Sequence, residues 1–224
     1  MKVPDYLEAV YWWAYVRPWA IKLFERDWLV GLILWGWYRP LEDAALEMVG
    51  DSLPGRTLQI ACVYGEFVPK VWARVEASGG ELDVVDVVPA QLENLKYKLP
   101  AKCAARLLQM DSSDMALPSA SYDRVILFFL MHEQPSAIRQ RTISEAFRVV
   151  KPGGQVLFVE FSKAKWWHPL RYIYLPILKH FEPFAPDVWD HDDVEFWLSK
   201  PFADKIEKRR LLFGNYYQVF SVRA

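Results

Sequence analysis

From residue 57 to residue 160 the chain alternates short apolar segments of period two with segments of helical period, and that alternation restricts it to a parallel α/β sheet. The run Arg56 to Val63, bounded by Pro54-Gly55, reads as a first buried strand, and a helix follows around Lys70 to Glu76. Glu81 to Val87 is a second strand, and Pro89 opens a helix reaching about Leu99. Ala105 to Met110 and Tyr122 to Leu130 are strands three and four, and Ser136 to Val150 is helical. Lys151-Pro152-Gly153-Gly154 is a turn by composition, leading into a fifth strand over Gln155 to Glu160. Near the end, Leu211 to Phe213 and Tyr216 to Val222 flank Gly214-Asn215, which reads as an antiparallel terminal hairpin.

A chain of 224 residues forms one domain of comfortable size with room for an accessory element. We expect that element at residues 1–50, ahead of a core domain over residues 51–224. The aromatics Tyr11, Trp12, Trp13, Tyr15, Trp19 and Trp28 crowd this region. It reads as a helical cover over a pocket, as an interfacial membrane contact that admits a lipid, or as both. The apolar run Trp28 to Tyr38 falls short of the roughly 20 residues that a spanning helix needs. The start, MKVPDYLEAVYWW, lacks the basic-then-apolar layout of a secretory signal. A net charge of -1 gives no broad attraction to nucleic acid. Cys62 and Cys103 show no metal-ligand spacing and suit a reducing, intracellular location.

In an open α/β sheet, ligands bind beyond the carboxyl ends of the strands. Those ends carry Tyr64-Gly65, Asp86, Asp111-Ser112 and His132-Glu133. Asp86 lies 21 residues after Gly65, close to the spacing at which a dinucleotide fold places the acid that accepts both ribose hydroxyls. Asp111 can accept from an adenine amino group or cap its own turn. The first loop, Ala61-Cys62-Val63-Tyr64-Gly65, keeps one glycine where backbone must approach a ligand closely, so the site is either dead or holds the ligand's tail in a different pose. His132, Glu133 and Glu160 are candidates for acid/base work or for holding a manganese-like ion. Asp187, Asp190, His191, Asp192 and Asp193 read as a solvated loop ahead of a Val194 to Leu198 helix, with metal binding as the alternative. His168, before Pro169, reads as a helix-opening residue.

The order Asp86, Asp111 with Leu117-Pro118, Ser121-Tyr122-Asp123, and Glu145 through Arg148-Val149-Val150-Lys151-Pro152-Gly153-Gly154 resembles the quinone-type class I methyltransferases over roughly residues 55–160. The resemblance implies a Rossmann-like, mostly parallel sheet with S-adenosylmethionine held by Gln59, Ala61, Val63, Tyr64, Gly65, Asp86, Val87, Asp111, Ser112 and Phe128. Those enzymes carry an acid and several glycines in the first loop, where this chain has Gln59, Ala61, Val63 and Tyr64. That departure, with Phe128 to Pro135, Trp167 to Tyr172 and Gly214 to Gln218, is similar to the narrower rhodoquinone-forming RquA family. This resemblance implies that S-adenosylmethionine donates its amino group to ubiquinone, replacing a methoxy group, with Mn2+ required and Tyr64, His132 and Glu133 nearest the chemistry. It also implies an enzyme lying peripherally on an inner membrane, on the cytoplasmic or the matrix face. Gln59 cannot supply the charge that keeps the donor's ammonium protonated, and a neutral amine is the nucleophile such a reaction needs.

Two other readings stand beside that one. The first is a conventional methyltransferase acting on a quinone or another lipid-like acceptor. The second is a binding subunit whose altered first loop no longer holds the donor. Donor binding separates the second from both enzymes, and product mass separates the enzymes from each other.

Overall fold

The computed structural model describes residues 2–163, 165–189, 197–198 and 200–224. Asp190, His191, Asp192 and Asp193, and most of the helix expected over Val194 to Leu198, lie outside the described residues. The strands are β1 (Arg56–Ile60), β2 (Glu81–Asp86), β3 (Arg106–Gln109), β4 (Tyr122–Phe128), β5 (Val150–Phe161), β6 (Ile206–Leu212) and β7 (Tyr217–Arg223). They form one sheet in the order β3-β2-β1-β4-β5-β7-β6, parallel through β5, with β7 antiparallel to both β5 and β6. The order reverses between β1 and β4, which is where such sheets open a ligand crevice. This is the Rossmann-like, mostly parallel sheet with a terminal antiparallel hairpin that the sequence implies.

The period-two pattern divides each central strand between two cores. Ile126 and Phe128 of β4, with Leu157 and Val159 of β5, face one side, under α4 (Tyr38–Val49) and α5 (Phe67–Ala77). Val125 and Leu127, with Val156 and Phe158, face the other, under α7 (Ser136–Val149). Helix α6 (Pro89–Lys98) crosses from β2 to β3 and begins, as its sequence requires, at a proline whose missing N–H costs no helical bond.

Two strands stop earlier than their apolar runs suggest, and the backbone gives the reason. Ala61 takes φ 67° immediately after β1, and Phe129 takes φ 53° immediately after β4. Both are left-handed conformations that an extended strand cannot contain. The expected turn at Lys151 to Gly154 lies inside the bounds of β5 as an irregularity. The register with β4 jumps from Tyr122↔Val150 to Arg124↔Gln155, Gly153 takes φ 77°, and the Lys151 ammonium donates to both Asp123 oxygens at 2.8 and 2.9 Å.

The amino-terminal region folds as α1 (Asp5–Val10), a π-helical turn over Trp12–Val16, α2 (Pro18–Phe24) and α3 (Asp27–Ile33). The sequence reading assigns α4 to this cover, but the helix packs its Leu41, Ala44, Ala45 and Met48 into the first core. Val30 and Leu34, ahead of α4, join the same core, so the amino-terminal region and the sheet share one packed interior. The remaining helices are α8 (Leu170–Phe181), α9 (Ala185–Trp189) and α10 (Lys200–Ala203). His168 opens α8 as expected, its Nδ1 accepting from the N–H of Leu170 at 3.3 Å.

Candidate donor and acceptor site

A narrow crevice lies at the point where the strand order reverses. Asp86 forms its centre, with Ala61, Cys62 and Val87 beside it and Met110, Ser112 and Phe128 across it. The Asp86 carboxylate is buried, and its oxygens accept from the N–H of Cys62 at 2.7 Å and of Val88 at 2.8 Å. Burial raises its pKa and these backbone bonds hold the rise in check, leaving it at about 6. Each oxygen keeps a second lone pair for a ligand hydroxyl. Asp111, between Met110 and Ser112, turns Oδ1 onto the N–H of Ser113 at 2.8 Å. Ser112 instead joins a polar chain, with its hydroxyl 3.0 Å from both Thr142 Oγ1 and Gln134 Nε2.

The first loop is held by side chains from three directions. Glu25, at the end of α2, accepts from the N–H of Gly65 at 2.8 Å and from Lys98 Nζ at 2.7 Å. Lys98 also donates to the carbonyls of Gly65 and Val63. Gly65 takes φ 74°, and a Cβ there would strike the Tyr38 ring. Tyr64 donates its hydroxyl to the carbonyl of Ala14 at 2.7 Å and accepts from Gln91 Nε2 at 2.8 Å, while its ring stacks on Tyr15 and Phe24. Burial pushes its phenol pKa further up. The residue thus positions the cover on the core, and proton transfer from its hydroxyl would break the bond it donates to Ala14. Gln59 lies buried beneath the loop, its Nε2 donating to the carbonyls of Ile60 and Ala61 at 3.3 and 3.1 Å, and its Oε1 has no hydrogen-bond partner.

Beside the crevice lies an apolar cavity of about 400 Å3, roofed by α2, α3 and α8. Val63 and Tyr64 of the first loop line this cavity, together with Leu29, Ile33, Tyr174 and Phe181. Tyr15, Cys62, Phe128, Phe129 and Glu133 line both spaces, so the two adjoin without an intervening wall of other residues.

His132 and Glu133 follow β4 on a short 3-10 turn (Met131–Glu133) and meet the cavity together. Glu160, buried at the end of β5, lies 2.8 Å from His132 Nδ1 and accepts from the N–H groups of Met131 and His132. Burial alone would lower the His132 pKa, but the Glu160 charge and hydrogen bond outweigh it and place it at about 9. Burial raises Glu133 to about 8 against the opposing charge of His132. Glu182, a residue that nothing in the sequence singled out, also lines the cavity, and burial raises its pKa as well. Its position follows from α8 folding back over the core, which no local spacing announces. Manganese, which the narrower resemblance implies, finds no fitting donor set here. Among the described residues no group of three or more His, Cys, Asp or Glu is placed to hold a metal ion, and Glu160 already occupies Nδ1 of His132.

A family model for a methyltransferase domain matches residues 57–154. A demethylmenaquinone methyltransferase of Lactococcus lactis subsp. lactis is 28% identical over 166 residues, covering 71% of this chain and 63% of that protein. A ubiquinone/menaquinone biosynthesis C-methyltransferase of Ralstonia nicotianae is 32% identical over 161 residues, covering 71% and 59%. The chain thus spans less than two thirds of the length of either relative. Among solved structures, a geranyl diphosphate C-methyltransferase from Streptomyces coelicolor superposes with a TM-score of 0.63 at 11% identity, over 99% of each chain. An S-adenosylmethionine-dependent methyltransferase from Aquifex aeolicus gives 0.62 at 17%, over 92% of this chain and 98% of its own. By sheet order and superposition the chain has the fold of the S-adenosylmethionine-dependent methyltransferases, and its residues 57–154 match their methyltransferase domain.

Proposed function

We propose that this protein transfers the methyl group of S-adenosylmethionine to a quinone-class ring carrying an apolar tail. The observation that carries this reading is the adjoining of the Asp86 crevice and the apolar cavity across Phe128, Phe129 and Glu133. In it, Asp86 accepts from the donor's ribose hydroxyls, Ser112 and Gln134 meet the polar edge of its base, and the first loop lies along its tail. The apolar cavity encloses the acceptor, and the named activities of the similar quinone methyltransferases support that choice of acceptor.

His132, kept cationic by Glu160, stabilises a negative oxygen on the reduced ring, which makes the adjacent ring carbon a better nucleophile. That carbon forms a bond to the methyl group as the sulfur–methyl bond breaks, and the displaced ring proton passes to Glu133. With a pKa of about 8, Glu133 is poised to take and return a proton near neutral pH.

A second reading, amino transfer to a ubiquinone-type ring, is favoured by one specific observation. No acidic side chain stands at the first-loop position held by Gln59, whose amide is turned onto its own strand's carbonyls. In that reading the donor's α-nitrogen ends on the ring in place of a methoxy group. Donor labelled separately at the methyl carbon and at the α-nitrogen decides between the two. Methyl label in the quinone product is expected, and nitrogen label with no methyl label would replace the first reading by the second.

A further inference from the structure

We propose that the outer faces of α2, α3 and α8 form a single bilayer-docking surface, and that the acceptor enters the apolar cavity sideways from the lipid, through the gap between α3 and α8. The proposal rests on the reading of the cavity as the acceptor site.

These helices present apolar stripes to solvent where a soluble surface would be polar. On α3, Trp28 and Leu32 stand one turn apart and are 62% and 66% exposed, and Trp35 continues the row. On α8, Ile173, Ile177 and Phe181 repeat at every fourth residue, with Ile173 61% exposed. Trp19 and Leu23 add a similar pair on α2. The stripes belong to one surface, because the Tyr174 ring meets Trp35 edge-on at 5.5 Å and Trp13 meets Phe181 at 5.7 Å. Several large apolar side chains side by side exceed what an unpartnered soluble surface carries.

Two features commit the surface to a lipid occupant. The first is what opens on it. Leu29 and Ile33 of α3 and Ile177 and Phe181 of α8 line the apolar cavity from its outer side, so the surface surrounds the mouth of the acceptor site. A partner seated there must itself deliver an apolar acceptor. The second is charge. Between Ser162 and Phe181 the sequence holds Lys163, Lys165, Arg171 and Lys179 and no acid, and between Tyr11 and Phe24 it holds Arg17 and Lys22 and no acid. Glu25 and Asp27 interrupt the run between α2 and α3, with Glu25 engaged by Gly65 and Lys98. The chain as a whole carries a net charge of -1, so the basic excess of these two segments is local and complements anionic headgroups. Aromatic rings and basic stems flanking aliphatic side chains are the composition of a helix lying in a membrane interface. Among the described residues no helix is long and apolar enough to cross a membrane, which fits helices that lie along the surface.

The test is co-sedimentation of the full chain with phosphatidylcholine vesicles and with vesicles containing phosphatidylglycerol. It compares the wild type with Trp28→Ser/Leu32→Gln on α3 and with Trp166→Ser/Ile173→Gln at α8. None of these four residues lines the crevice or the cavity. Wild type should bind the anionic vesicles more tightly, and each double variant should lose about tenfold or more in partition. Donor affinity by calorimetry should stay at the wild-type level, which also reports that the variants fold. Turnover of a short-tailed, water-soluble quinone should persist, while turnover of a long-tailed quinone in vesicles should fall with the partition. Wild type that binds neither vesicle, or variants that sediment as well as wild type, would overturn the docking surface even if the short-tailed quinone is turned over. Vesicle binding with no turnover of any quinone would instead remove the acceptor reading and leave the docking surface standing.

Discussion

Two features of its surroundings pull the Asp86 carboxylate in opposite directions. It is buried, which favours its neutral form, and it accepts two backbone hydrogen bonds, which favour its charged form. Because the balance leaves its pKa raised to about 6, its full capacity to accept ribose hydroxyls exists above that pH and is lost as pH falls through it. Donor affinity measured by calorimetry should therefore decline on acidification through about pH 6. Asp86→Asn should weaken donor binding at pH 8 by about 1.5–3 kcal/mol for the charged hydrogen bond it loses, and should flatten the pH dependence. Wild-type affinity in a folded Asp86→Asn variant would take this residue out of the donor site. The neighbouring Ala61 and Phe129 hold left-handed backbone without being glycine, one on each side of the crevice. Residues kept in such conformations need surroundings that over-determine them, and they gather at sites where backbone must be aimed at a ligand.

At the scale of elements, the loop after β4 carries His132 and Glu133 and is held by one side chain of α7. Arg139, almost wholly buried, donates to the carbonyls of Met131 at 2.7 Å, Gln134 at 2.9 Å and Phe184 at 3.0 Å. It thereby ties the reactive turn to the segment between α8 and α9. Arg139→Met keeps the aliphatic volume and leaves three carbonyls without this donor, so it should cost on the order of 3 kcal/mol in chemical denaturation. It should also lower turnover more than donor affinity, because Asp86 and its backbone partners Cys62 and Val88 lie outside the segments that Arg139 ties together. The succession of strands along the chain and the place of Asp86 at the end of the second were legible in the sequence, because period-two runs and an acid about 20 residues past the first loop are local signals. The walls of the apolar cavity were not, since Leu29, Tyr174, Phe181 and Glu182 come together only when α8 folds back onto α3. The role of α4 was hidden for the same reason. Its apolar stripe announces burial but not against which face. The Glu25 clamp on Gly65 spans 40 residues of sequence, a distance at which charge patterning carries no information.

At the scale of the molecule, the amino-terminal segment wraps both spaces with one continuous piece of chain. Tyr6 and Leu7 of α1 close the crevice over Asp86, and the charges of Glu133, Asp111 and Asp86, added to burial, hold the Tyr6 phenol protonated. Further along the same segment, Ala14 and Tyr15 form part of the wall of the acceptor cavity and are fixed to Tyr64. A single door thus serves two rooms. Under the proposed function, a donor reaching Asp86 passes α1 and an acceptor seated against Tyr15 stiffens the same segment, which predicts an order of binding. Initial-rate kinetics should be sequential and ordered, with donor first. The demethylated donor should compete with fresh donor but not with the acceptor, because it leaves last. Competition between this product and the acceptor would mean that the two spaces open independently. One segment covering both spaces couples them, so under the proposed function a change that stiffens it slows the exchange of both ligands together.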